Sequence, residues 1–139
     1  MTTLDDLQRT LAGEHAATYV FGVLGGRAAT VGSPTLRAAL ATAYDVHRTR
    51  RDRLEAMVHA EDATPVAAAP GYALPRSLTS PAALTAEALR VERSCTATYA
   101  ALVAGTTGSR RRWAITALAE SAASELGFGG RPQALPGIH

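Results

Sequence analysis

Lysine is missing from this 139-residue chain, and all 14 basic residues are arginine. The absence excludes a phosphate loop built on lysine, a Schiff-base lysine and pyridoxal chemistry. Cysteine is reduced to Cys95, which excludes an internal disulfide and any Cys-x-x-Cys metal or redox site. Aromatic residues make up 5% of the chain and the net charge is +2, so nucleic acid and membrane surfaces are not expected partners. No apolar run approaches the roughly 18 residues of a membrane span. Valine and isoleucine are sparse and apolar/polar alternation is missing, so no strand is predicted. Gly22-Val23-Leu24-Gly25-Gly26 lacks the order of a dinucleotide fingerprint, and no GxSxG elbow exists. The opening MTTLDDLQRT is acidic and polar, unlike a signal peptide, and a soluble cytoplasmic protein is expected.

What the chain does hold is helix-forming sequence. Alanine is its commonest residue and leucine is abundant, and both lead the helix propensity scale. The pattern predicts one all-α domain of four helices, at about 3–30, 34–61, 81–104 and 108–127, with a crossover at 62–80. Thr3 and Asp6 resemble a capping box at the first start, and that helix should end by Gly32. Ser33-Pro34 and Ser80-Pro81 are serine caps followed by proline at the first helical position. The crossover contains PVAAAPGYALP, whose prolines forbid continued helix. It is too long for a bundle hairpin, so it should run along the bundle, pinned by Tyr72 and Leu74. Two helical hairpins joined by one long crossover is the connectivity of a ferritin-like four-helix bundle. A glycine-rich tail follows, with Phe128, Leu135 and Ile138 available to pack it down.

Polar residues at inward positions are the informative ones. Glu14 continues the stripe Leu4, Leu7, Leu11. His47 continues Leu36, Leu40, Ala43. Glu92 lies beside Ala88, Val91 and Cys95, and Glu120 falls on a seam drawn through Trp113, Ala117 and Ser124. Glu14, His47 and Glu92 sit near the midpoints of their helices, with Glu120 about 4 Å off at 1.5 Å per residue. Midpoints of antiparallel helices meet, so these groups are expected to share one layer. Buried charges must pair, protonate or bind a cation. One reading is a hydrogen-bonded core network in which Tyr19, Tyr44, Tyr99 and Arg48 satisfy the acids. The other is a metal site of Glu14, His47, Glu92 and Glu120 holding iron or manganese, with Tyr44 at an open position. A full di-metal set needs Glu-x-x-His on two helices, and here Tyr44 precedes His47 and Ala123 follows Glu120.

The run His47–Arg53 is basic, but Arg48 can meet Asp52 and Arg51 can meet Glu55 four residues on. Arg110, Arg111 and Arg112 open the fourth helix against its dipole, which suggests a partner carboxylate. Cys95 on an apolar face reads as a structural thiol. His15 points about 100° away from Glu14 around the helix, toward an edge or a dimer seam. His59 and His139 read as surface residues.

Four segments carry a resemblance: Gly13–Tyr19 (GEHAATY), His47–Asp52 (HRTRRD), Gly71–Pro75 (GYALP) and Leu135-Pro136-Gly137. In that order they resemble the ferritin-like domain of unknown function found mostly in high-GC Gram-positive bacteria. The resemblance implies a ferritin-like bundle and no established reaction. It implies that Glu14-His15, Tyr19 and His47-Arg48 are kept, without a complete di-iron set. Together these readings point to a non-enzymatic binding or interaction module with a polar mid-bundle core. A degenerate metalloprotein and a small-molecule-binding bundle are the alternatives. The glycine face of Gly22, Gly25 and Gly26 suggests a homodimer.

Overall fold

The computed structural model describes residues 1–31 and 33–138. Gly32 and His139, for which a helix end and a surface position are expected, lie outside the described residues. The chain forms four helices: α1 (Thr3–Val31), α2 (Pro34–His59), α3 (Pro81–Gly105) and α4 (Gly108–Gly127). No strand occurs among the described residues.

Local chemistry accounts for the ends. The capping box of α1 lies one residue earlier than the Thr3/Asp6 pair: the Asp5 amide donates to Thr2 Oγ1 at 3.1 Å, and the Thr2 amide donates to Asp5 at 2.9 Å. Asp6 is instead buried beside Gly105, where an added Cβ would overlap its carboxylate. Ser33 and Ser80 cap α2 and α3 as expected, accepting from Leu36 N at 3.4 Å and Ala83 N at 3.1 Å. Gly25 and Gly26 do not interrupt α1, which buries Leu24 and Ala28 on either side of them.

Each neighbouring pair of helices runs antiparallel. Thr3 Oγ1 donates to the Gly105 carbonyl at 2.9 Å, so the start of α1 meets the end of α3. Arg110, at the start of α4, pairs with Glu61 just past α2. This intrachain acid is the carboxylate that the arginine run was expected to need, and no second subunit is required for it. α1 packs on α2 and on α3, and α3 packs on α4. Leu7, Leu11, Phe21, Leu40, Leu54 and Leu84 are fully buried between them. The fourth side differs. No Cα of α2 comes within 8 Å of a Cα of α4, and a groove separates the two helices.

The crossover climbs along α1. Gln8 Nε2 donates to the Thr64 carbonyl at 2.7 Å, and the Val66 amide donates to Gln8 Oε1 at 2.8 Å. Higher up, the Tyr72 and Tyr19 rings lie 5.4 Å apart. Leu74 is half-buried, while Leu78 supplies the fully inserted anchor that the pattern did not mark. Phe128 turns inward at the end of α4 and stacks on Phe21 at 6.0 Å. Leu135 and Ile138 stay exposed, against expectation. The tail is fixed by backbone instead: Gly137 has φ +78° and lies so near the Thr96 carbonyl that any Cβ would overlap it.

Candidate functional site

The buried polar layer is built from three helices. α1 brings Glu14, α2 brings His47 and α3 brings Glu92, and all three are at most 2% exposed. His47 Nδ1 donates to Glu14 Oε2 at 2.6 Å, and its Nε2 donates to Glu92 Oε1 at 3.0 Å. Tyr99 donates its hydroxyl to Glu14 Oε1 at 2.6 Å, and Ser124 donates to Glu92 Oε1 at 2.9 Å. The Phe21 ring stacks on the imidazole, with centroids 5.1 Å apart. Layer geometry explains the meeting: each of the three acid or imidazole groups sits near the middle of its helix, and antiparallel helices align their middles.

Burial opposes charge on His47, but hydrogen bonds to Glu14 and Glu92 and the fields of both carboxylates outweigh it. The imidazole is thereby raised from 6.5 to about 9. His47 is an imidazolium at neutral pH, with both nitrogens donating and no lone pair free for a metal. Burial, reinforced by the Glu14 and Glu92 charges, pushes the Cys95 thiol well up. Burial and the Glu14 charge likewise raise the Tyr99 phenol.

Beside this layer lies Arg50, which the sequence reading did not single out. Its guanidinium donates to Ser121 Oγ at 2.9 Å, to the Ala117 carbonyl at 3.2 Å and to Glu120 Oε2 at 3.0 Å. It also stands 5.2 Å over the Tyr99 ring. Burial works against its charge, and Tyr99, Glu14, Glu120 and Glu92 around it hold the group cationic. A signal was present: Arg50 lies between His47 and Leu54 at helical spacing on the same stripe.

Several other residues stand elsewhere than expected. The Glu120 carboxylate is 60% exposed and is taken by Arg50. The cause is the phase of α4, whose buried residues are Ala114, Ala117, Ser121 and Glu125, one position round from the predicted seam. Ala119 and Leu126 are exposed for the same reason. Tyr19 is 40% exposed and packs on the crossover, away from the core acids. Tyr44 lies over Gly22 on the outside of the α1/α2 seam, with Arg48 5.6 Å above its ring. Arg48 pairs with Asp45 at the surface, and Arg51 with its neighbour Asp52 rather than Glu55. His15 faces the crossover, where its Nε2 contacts the Val66 carbonyl at 2.9 Å. The network therefore holds Glu14, His47, Glu92 and Tyr99 from the sequence-derived set, together with Arg50, Ser121 and Ser124.

Three cavities open along the α2/α4 groove, two of them beside Arg50. The upper of these two, about 450 Å³, is walled by Ala39, Ala43, Val46 and Phe128 and reaches Arg50 and Glu92. The lower one, about 340 Å³, lies between Thr49 and Trp113. The Arg50–Glu120 pair borders both. Glu92 Oε2 is buried and has no hydrogen-bond partner among the described residues, as does Thr18 Oγ1. A buried carboxylate oxygen without a donor is costly. Glu92 is the residue that belongs both to the ionic layer and to the cavity wall. A separate convergence joins Glu14, His47 and Cys95, whose ligand-capable atoms lie within 4.8 Å of one another.

Among curated proteins, no match to the chain is found. Among solved structures, the chain is similar to a conserved hypothetical protein, rv2844, from Mycobacterium tuberculosis. The identity is 32% and the TM-score 0.81, over 94% of this chain and 93% of that one. A family model described as a domain of unknown function (DUF4439) matches residues 6–139. The chain, an all-α four-helix bundle with an ionic core, therefore belongs to that family.

Proposed function

We propose that this protein is a non-enzymatic, ferritin-like binding module whose ligand enters the α2/α4 groove. The connectivity supports the ferritin-like reading: two antiparallel hairpins joined by a crossover that runs along α1. One observation carries the binding reading. Glu92 lines the upper cavity and also has a buried oxygen without a hydrogen-bond partner, so a ligand that reaches this oxygen from the cavity would supply the missing donor. The non-enzymatic reading rests on occupancy. Both nitrogens of His47, both oxygens of Glu14 and the Tyr99 hydroxyl are engaged in hydrogen bonds, so none of these three groups is free to act as acid or base, and Glu92 Oε2 is the open acceptor of the layer. A cavity of about 450 Å³ lies in the size range of small-molecule sites. Nuclear magnetic resonance with a chemically mixed fragment set tests the reading. Amide shifts should gather on Thr42, Val46, Ser121 and Ser124, and shifts scattered over other faces would refute it.

A metal is the second reading, favoured by the convergence of Glu14, His47 and Cys95. Carboxylate, imidazole and thiolate donors suit zinc or ferrous iron better than manganese. Binding would require the imidazolium and the thiol each to lose a proton, so uptake would be steeply pH-dependent. Metal analysis of protein prepared without chelator decides it. A near-stoichiometric ion lost in Cys95→Ser would establish this reading.

The module is also proposed to pair with a second copy. Gly25 and Gly26 leave open space on the outer face of α1, where a helix could approach closely. Light scattering on eluting protein tests this, and a monomer at high micromolar concentration would end it. No helix is long and apolar enough to cross a membrane among the described residues.

A further inference from the structure

We infer that the upper α2/α4 cavity selects a small monocation: a primary ammonium group carried on a short apolar body, with Glu92 as its anchor. The inference rests on the binding reading above and specifies the chemistry of the ligand.

The pairing of acids and bases points that way. Three carboxylates, Glu14, Glu92 and Glu120, share two basic partners, His47 and Arg50. Glu14 has both oxygens bonded and Glu120 has Arg50, so the unmatched acceptor is Glu92 Oε2. A buried carboxylate lacking a donor gains most from a charged one, because charge-assisted bonds are the strong ones. Arg50 also reaches this wall, but its guanidinium is taken by Ser121, the Ala117 carbonyl and Glu120, so an anion would meet Glu92 with no unengaged cation to hold it.

The walls narrow the choice further. An ammonium carries three donors. Besides Glu92, the cavity offers acceptors at Glu120, Ser121 and Thr42. A quaternary ammonium has no donor to give them and needs an aromatic cage, whereas Phe128 is the one aromatic residue in this wall. The remaining lining is small and apolar, with Ala39, Ala43 and Val46 suited to an aliphatic or slim ring body. One unpartnered oxygen calls for one cationic group.

The test uses the full chain and four probes of matched length: hexylammonium, hexyltrimethylammonium, 1-hexanol and hexanoate. Amide chemical shifts locate each probe and calorimetry gives its affinity. Hexylammonium should bind saturably at the cavity, with the other three weaker by about tenfold or more, the worth of one charge-assisted hydrogen bond. Glu92→Gln should remove that preference by about the same factor. Val46→Phe, at a partly exposed position, should block all binding while leaving the core intact. This second variant, with the probe series on the unmutated chain, decides the matter even where Glu92→Gln fails to fold. If hexanol or hexanoate binds the cavity as well as hexylammonium, the groove remains a ligand site and the cationic selectivity is overturned. If no probe shifts the cavity amides at millimolar concentration, the groove itself is not a binding site and both readings fall.

Discussion

The two sides of α2 solve the same problem in different ways. Toward α1 and α3, its inward residue His47 is fully buried, and both ring nitrogens have partners. Toward α4, three residues on, Arg50 reaches across a gap too wide for direct packing and ties the helices with its guanidinium. The first side is closed by apolar side chains and one ionic chain. The second is bridged by Arg50 at mid-height and by the Arg110–Glu61 pair at one end, with a cavity on either side of Arg50. A buried polar network can thus finish a core on one face while leaving an unmatched acceptor beside a cavity on the other.

Breaking the closed side should cost most. His47→Leu removes both donors at once and leaves Glu14 and Glu92 buried with only Tyr99 and Ser124 to serve them. We expect a loss of about 3–5 kcal/mol, as for other buried pairs stripped of one partner. Urea unfolding measures it, and a loss under about 1 kcal/mol would show that the layer is far wetter than its burial implies.

The pH dependence comes next. His47 is held at about 9 in the folded chain against 6.5 for the free side chain. A raised folded value stabilises fully below pH 6.5, and that stability fades as pH rises toward 9. The amount is on the order of 3 kcal/mol for this buried group. Cys95 and Tyr99 add to the loss only above their ordinary values of 9.0 and 10.0. A decline in the urea midpoint between pH 6.5 and 9 therefore reports the imidazolium, and His47→Leu should flatten it.

Arg50→Met tests the bridged side. It removes bonds to Ser121, Ala117 and Glu120 while keeping most of the stem's volume. Stability should fall by about 1–3 kcal/mol, less than for His47→Leu. Hexylammonium affinity should rise, because a second negative charge is uncovered beside the cavity. A variant that loses stability and binding together would mean that Arg50 shapes the cavity rather than competing with the ligand.

How much of this was legible in the sequence follows from the strength of each local signal. Serine-proline starts, proline density and leucine spacing each act within one turn or one segment, so the helices and the crossover could be read directly. Glu14, His47 and Glu92 stood out because a polar residue interrupts a leucine or alanine stripe. The phase of α4 was not legible. Its stripe consists of alanine and serine, which weigh nearly the same on either of two adjacent faces, and a slip of one residue carried Glu120 inward on paper. Arg50 was overlooked for a different reason: its place on the His47–Leu54 stripe was a signal, but in a run of four arginines between 48 and 53 the whole run reads as a solvated face. What lets a guanidinium fill that inward place is α4 standing away from α2, a property of the packed bundle.

Glu120→Ala should show the smallest effect and sharpens the contrast most finely. Its carboxylate shares Arg50 with Ser121 and the Ala117 carbonyl, yet is 60% exposed. Solvent screens such a pair, so its loss should cost about 0–1 kcal/mol. The same substitution also separates the ligand sets. A metal held by Glu14, His47, Glu92 and Glu120 would lose a ligand with this variant, whereas one held by Glu14, His47 and Cys95 would not change. Unaltered metal content with a weakened hexylammonium interaction places the role of Glu120 at the groove. A stability loss as large as that of Arg50→Met would instead make the exposed carboxylate the true partner of the guanidinium, and the bridge between α2 and α4 would then rest on that ion pair.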